Sequence, residues 1–287
     1  MKKTVFAASA LAITATLSST TTAGANVQPH IVGGTGASGD TSWMVSLQYD
    51  APKYGRFDYH TCGGSLIFRN WIITNAHCVT DEPHAKATPK KLTFNGVADQ
   101  PIPTADKHFK VRVGSKNRTT GGETASVVQV VVHPNWHWGM TAPTDDIAML
   151  KLDHRVQQQS IQLAGRDAQP GERVTLYGWG SDDPAGVPED LPVTLQQLDT
   201  RVLPSYRCAD AGQTDGEICT NNPHGTDGPG AGDSGGPAVR FENGVAQLVG
   251  SCSRGASQLP GEAPTVYTSS PDFRSWVYST ARGVKTP

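Results

Sequence analysis

The 287-residue chain is poor in charge: 17% of its residues are Asp, Glu, Lys or Arg, and its net charge is −2. So even a balance excludes the basic stripe of a nucleic-acid-binding surface and an electrostatic membrane anchor. Long apolar runs are also scarce. The one candidate, residues 5–17, is too short and too rich in Thr and Ser to span a bilayer. Ligand clusters with zinc-site spacing are missing as well. His133 and His137 lie four apart, but Pro134 between them disfavours a helix that would present both on one face. Neither a metal nor a cofactor is therefore expected. What the chain does have is Gly 31 and Pro 20, the punctuation of many short strands and turns.

Met1-Lys2-Lys3 and the apolar run after it read as the basic and apolar parts of an export signal. Ala23-Gly24-Ala25 reads as its cleavage site. Removal of residues 1–25 should leave a secreted, soluble, extracellular protein with no membrane partner. In an oxidising compartment the five cysteines (Cys62, Cys78, Cys208, Cys219 and Cys252) should pair, leaving one over.

Strand-like segments recur at 43–49, 63–68, 71–75, 109–113, 126–132 and 147–152. A second set follows at 173–177, 196–202, 218–220, 237–240, 246–251 and 265–268. Short strands separated by Gly, Pro, Asn and Asp predict an all-β sandwich or barrel rather than βαβ units. The polar stretch 153–171 is the expected linker between two halves. One helix is expected, over 271–282, with Ser270 as cap and Pro271 at its first position. Phe273, Trp276, Val277 and Thr280 would line one face, and Gly283 would end it. Residues 80–110, broken by Pro83, Pro89, Pro101 and Pro103, form a long polar loop that either shapes a substrate cleft or is simply solvated.

Three strings carry chemistry: Thr74-Asn75-Ala76-His77-Cys78, Asp145-Asp146-Ile147-Ala148-Met149-Leu150, and Gly232-Asp233-Ser234-Gly235-Gly236-Pro237. A serine hydroxyl is a weak nucleophile until a base takes its proton, and the base must be held in one tautomer by a third group. A lone Gly-rich string reads as a turn; three ordered motifs make a specific signal. Together they resemble the trypsin/chymotrypsin family of serine endopeptidases, secreted bacterial type, from about residue 31 to the C-terminus.

The resemblance implies two packed six-stranded antiparallel β-barrels, over about 31–155 and 170–268, with a C-terminal helix and a cleft between the barrels. A monomer acting on protein or peptide substrates is expected, with no nucleic acid partner. Ser234 would be the nucleophile, His77 the general base and then acid, and Asp146 the orienting carboxylate. Asp145, its strand neighbour, would face the other way and be exposed. The backbone N–H groups of Gly232 and Ser234 would receive the oxyanion. The family also implies disulfides Cys62–Cys78 and Cys208–Cys219. Cys252 would then be a buried free thiol or an intermolecular one, and the buried reading is preferred.

Residues 26–30 would form a short propeptide. Cleavage before Ile31 would free an amine to pair with Asp233, since a buried carboxylate needs a countercharge. His30 departs from the Arg or Lys usual at this point, so the protease that removes the propeptide stays open. Specificity departs too. Gly228, six residues before Ser234, stands where trypsin-like members carry an aspartate, with Asp227 one residue away. Gly230 stands in place of a cysteine. The family's Ser-Trp-Gly edge is matched to Ser251-Cys252-Ser253, and Thr265 replaces a glycine. Ser253 and Thr265 would narrow the pocket toward a small or medium apolar side chain. Alternatives are Arg/Lys specificity through Asp227, or a non-catalytic binding protein on the same fold, against which the intact triad counts.

Overall fold

In a computed structural model of the chain, residues 1, 31–82, 102–139, 145–181, 191–257 and 259–284 are described. The leader and propeptide expected before residue 31, Met1 apart, and most of the 80–110 loop lie outside the described residues.

After a two-residue β1 (Thr35–Gly36), six strands form the first barrel: β2 (Met44–Ala51), β3 (Arg56–Phe68), β4 (Trp71–Thr74), β5 (His108–Val113), β6 (Glu123–Val132) and β7 (Ala148–Leu152). They pair in the order β2-β3-β4-β7-β6-β5, and β5 closes on β2 with Val113 opposite Val45. Val45, Leu47, Leu66, Ile72, Val111, Met149 and Leu150 are buried in one hydrophobic cluster. β3 begins at Arg56, seven residues before the expected start, because Arg56, Tyr59 and His60 pair with the outer half of β2. The polar tail of β3 hides this in the sequence.

The linker holds a short β8 (Gln162–Leu163). The second barrel comprises β9 (Arg173–Gly178), β10 (Gln196–Leu203), β11 (Glu217–Thr220), β12 (Pro237–Glu242), β13 (Val245–Gly255) and β14 (Thr265–Ser269). Their order is β9-β10-β11-β14-β13-β12, and β12 pairs back to β9. β10 shows the two-residue period of such a strand: Leu198, Thr200 and Val202 are buried while Asp199 and Arg201 face out. Its core contains Val174, Leu176, Leu198, Ile218, Ala238, Val249 and Tyr267. Ile31 joins that core, 1% exposed. β1 extends the sheet at β10, and β8 adds a parallel pairing to β13. Two closed six-stranded antiparallel barrels and a terminal helix are thus the architecture that the family resemblance implies.

The helix, α1 (Arg274–Ala281), starts three residues later than expected. Ser270 does not cap it. Its backbone N–H donates to Val249 O at 3.1 Å, so this residue still belongs to the sheet, and Pro271 opens a turn that Arg274 N closes. Trp276 and Val277 are buried, and Gly283, at φ +72°, ends the helix in the left-handed region.

Candidate active site

His77 lies on a single 3-10 turn (Ala76–Cys78) directly after β4, and a disulfide from Cys78 to Cys62 ties that turn to β3. Asp146 precedes β7, which pairs with β4, so the sheet brings the two side chains together. Asp146 Oδ2 accepts from His77 Nδ1 at 2.7 Å, and Oδ1 accepts from the His77 backbone N–H at 3.0 Å. Two contacts to one residue fix both ring orientation and tautomer, so the neutral ring carries its proton on Nδ1 and its lone pair on Nε2. Asn75 Nδ2 donates to the same Oδ2 at 2.9 Å, and Ser253 Oγ donates to it at 2.7 Å.

Asp146 is 2% exposed. Burial pushes its carboxyl upward, but the charge and hydrogen bond of His77, the backbone donor and Ser253 hold it down at about 2. For His77 burial works downward, and Asp146 outweighs it, so the imidazole is raised above its ordinary value. A carboxylate held ionised beside a more basic imidazole is the electrostatic pattern of an orienter and a general base.

Asp145 differs from expectation. It is not on the strand but at φ +40°, half-buried, with its carboxylate 3.2 Å from His133 Nδ1. His133 in turn packs edge-on against Phe273 and Trp276 of the helix region. The left-handed turn, rather than strand alternation, separates the two aspartates.

Ser234 sits half-buried on the loop before β12, anchored by Gly63 N, which donates to Ser234 O at 2.7 Å. Gly63 and Gly236 make this approach possible, since a Cβ on Gly63 would lie 2.7 Å from Gly236 Cα. Among the described residues no hydrogen bond joins Ser234 Oγ to His77. In resting sites such bonds are often long and tighten with substrate. Gly232, at φ +97°, leaves its N–H and that of Ser234 without an acceptor among the described residues.

His60, which the sequence reading missed, braces this loop. Its Nε2 donates to Gly232 O at 3.1 Å, and its Nδ1 accepts from Ser46 Oγ at 2.8 Å. Burial lowers its pKa to about 4, so it is a neutral strut rather than a switch at neutral pH. Nothing in the sequence links His60 to Gly232, 172 residues away.

Asp233 is buried, accepting from Gly180 N at 2.7 Å and Gly230 N at 2.8 Å. Burial pushes its carboxyl up to about 7, although both donors pull the other way. Nearby, Val32 and Gly228 exchange two backbone hydrogen bonds of 3.2 and 3.0 Å. Beside that pairing the Asp227 carboxylate accepts from the His224 ring and lies against Gly33, where a Cβ would come within 2.4 Å of Asp227 Cγ. A Cβ on Gly228 would instead point at Gly261 and, 4.0 Å away, at Thr265 Oγ1.

The reading of the edge strand needs correction. Ser251 is 1% exposed in β13, with its hydroxyl lacking a partner among the described residues, and Cys252 belongs to the barrel core. Cys252 is the buried free thiol preferred over an intermolecular one, and burial pushes its pKa far upward. Ser253 turns its hydroxyl to Asp146 instead of narrowing the pocket. Residues 251 and 253 lie two apart, so plain strand alternation predicts one face for both, and only the register shift between Cys252 and Arg254, invisible in the sequence, separates them.

The Cys208–Cys219 disulfide ties the turn before β11 to that strand. Among the described residues one grouping of metal-capable side chains occurs, Cys62, His77 and Cys78, and its two sulfurs are spent in a disulfide. A cavity of about 290 Å³ opens beside His77, lined by Trp136, Trp138, Gly139, Ser253 and Arg254. A larger cavity, about 520 Å³, flanks β5 and β6 and contains none of these residues.

The chain is similar to known proteins over most of its length. A family model described as Trypsin matches residues 31–277. Chymotrypsin-like elastase family member 1 of Macaca fascicularis is 33% identical over 271 residues, covering 88% of this chain and 89% of its own. The Homo sapiens protein of that name is 32% identical over 268 residues, covering 86% and 91%. A trypsin of Phaedon cochleariae is 29% identical over 266 residues, covering 88% of each.

Proposed function

Because this chain belongs to the trypsin family of serine endopeptidases, we propose that it cleaves peptide bonds through an acyl-enzyme on Ser234, with His77 as base and Asp146 as its orienter. The observation that carries this reading is the double contact of Asp146 with the ring and backbone of His77. His77 would take the Ser234 proton as Oγ attacks the carbonyl, and return it to the leaving amine. The free N–H groups of Gly232 and Ser234 would stabilise the oxyanion, each worth about 10²–10³ in turnover. Water then repeats the sequence on the acyl-enzyme. Fluorophosphonate labelling separates this enzyme from a binding protein on the same fold.

On the acyl side of the scissile bond we favour a small or medium apolar residue. Gly228 offers no charge, Thr265 faces it, and Asp227 is engaged with His224. Burying an unpaired Arg or Lys there would cost several kcal/mol, as an order of magnitude. The two elastase relatives fit this choice; the trypsin relative shows that similarity alone does not decide it. A peptide library varied at that residue should show Ala or Val ahead of Arg, and Thr265→Gly should shift the preference toward larger apolar residues. Strong Arg/Lys preference that collapses in Asp227→Ala would reverse the assignment.

We further propose export through residues 1–25 and activation by cleavage before Ile31, its new amine pairing with Asp233. Among the described residues no helix is long and apolar enough to cross a membrane. A pH test follows. With no amine, Asp233 binds its proton more tightly folded than unfolded, so it contributes stability below pH 4 that is lost as pH rises toward 7. The thermal midpoint of the form beginning at Asn26 should therefore fall across that window relative to the form beginning at Ile31. Parallel pH profiles of the two forms would contradict the pairing.

A further inference from the structure

Arg254 follows Ser253 on β13, at a register shift between Cys252 and Arg254 that turns its side chain across the barrel end. Its Nε donates to Ala211 O at 2.8 Å and one Nη to Gly212 O at 2.7 Å. A two-pronged ion pair joins it to Glu217 of β11, at 2.6 and 2.8 Å. The remaining donor reaches Ser253 Oγ at 3.2 Å. All five N–H bonds of the guanidinium thus have acceptors. Both charges are withdrawn from solvent, the side chains being 14% and 3% exposed.

This arrangement constrains Ser253. A guanidinium only donates, so the Ser253 oxygen must accept from Arg254, and its single proton is then left for Asp146 Oδ2, 2.7 Å away. Arg254 also lines the cavity beside His77. Resting on the triad reading above, we propose that the Arg254–Glu217 ion pair is a positioning device for the Asp146–His77 couple, fixing the Ser253 hydroxyl as a donor to Asp146 and setting the charge that His77 faces.

Among the described residues the charged neighbours of His77 are few. Asp146 stands at its Nδ1, Arg254 faces it from β13 with Glu217 behind, and Glu82 lines the same cavity. Cys78, Trp138 and Ser253 bring no charge. Arg254 opposes protonation of the imidazole, in line with the direction of its influence on His77. Glu217 offsets that charge.

The experiment is the pH profile of kcat/KM for the form beginning at Ile31, its acid limb reporting His77. In Arg254→Met the limb should move to higher pH by on the order of half a unit. In Glu217→Gln, which leaves the guanidinium unbalanced, it should move to lower pH. Both variants should lose kcat more than KM. A merely structural pair would not produce opposite shifts. Limbs that stay put, or that move together, in variants with native circular dichroism would overturn the proposal. Should Arg254→Met not fold, Arg254→Lys keeps the charge without the fork. It should leave the limb in place and still lower kcat; an unchanged kcat would count against the clamp. Fluorophosphonate labelling of Ser234 in the unmutated enzyme is run alongside. Its absence would remove the triad reading itself, whereas labelling with unmoved limbs would remove only the role of Arg254 and Glu217.

Discussion

Replacing Ser234 with alanine should abolish peptidase turnover while leaving the fold intact. The side chain removed is a single hydroxyl at the cleft, and the loop is held by its backbone: Gly63 N on Ser234 O, and Gly235 N on Cys252 O at 2.8 Å. Neither bond needs the hydroxyl. Loss of the nucleophile in such a triad costs on the order of 10⁶ in turnover, because the three groups act as a unit. Residual rate would come from the oxyanion donors and substrate binding alone. Steady-state assays with an unchanged thermal midpoint would check both halves of the expectation.

Asp146→Asn should come next in severity, at about 10⁴ in turnover. The carboxylate accepts from His77 Nδ1, His77 N, Asn75 Nδ2 and Ser253 Oγ. An amide placed there presents an N–H where at least one acceptor is needed. The imidazole then carries its proton on the wrong nitrogen and cannot take one from Ser234. The charge is lost as well, so His77 should fall in pKa and the acid limb should move to lower pH. The sign is fixed: Asp146 raises His77, and removing it reverses that push. A variant with turnover within tenfold of the unmutated enzyme would show that another group orients the base.

The contiguous parts of the site were legible in the sequence. His77, Asp146 and Ser234 each lie in a string whose neighbours serve the same local turn, so residue type and spacing speak together. Strand positions were legible for the same reason, since the two-residue period survives in segments such as β10. What escaped was set by distant partners. His60 braces Gly232 from another barrel, and Arg254 meets Glu217 across 37 positions. Neither pairing leaves a local pattern. Ser251 and Ser253 lie two apart, so alternation could not separate them; the register shift at Ser253 and its bond to Asp146 do. Asp145 was misjudged because a backbone at φ +40° replaces the strand on which its exposure was argued. Ser270 was read as a cap although the sheet still claims its N–H.

The most direct test is covalent. The form beginning at Ile31 is treated with a fluorophosphonate, digested, and mapped by mass spectrometry. We expect one adduct per chain on Ser234, none after mutation of Ser234, and a strongly slowed reaction in His77→Ala. No adduct under conditions where the protein is folded, or an adduct on any other residue, would contradict the acyl-enzyme mechanism.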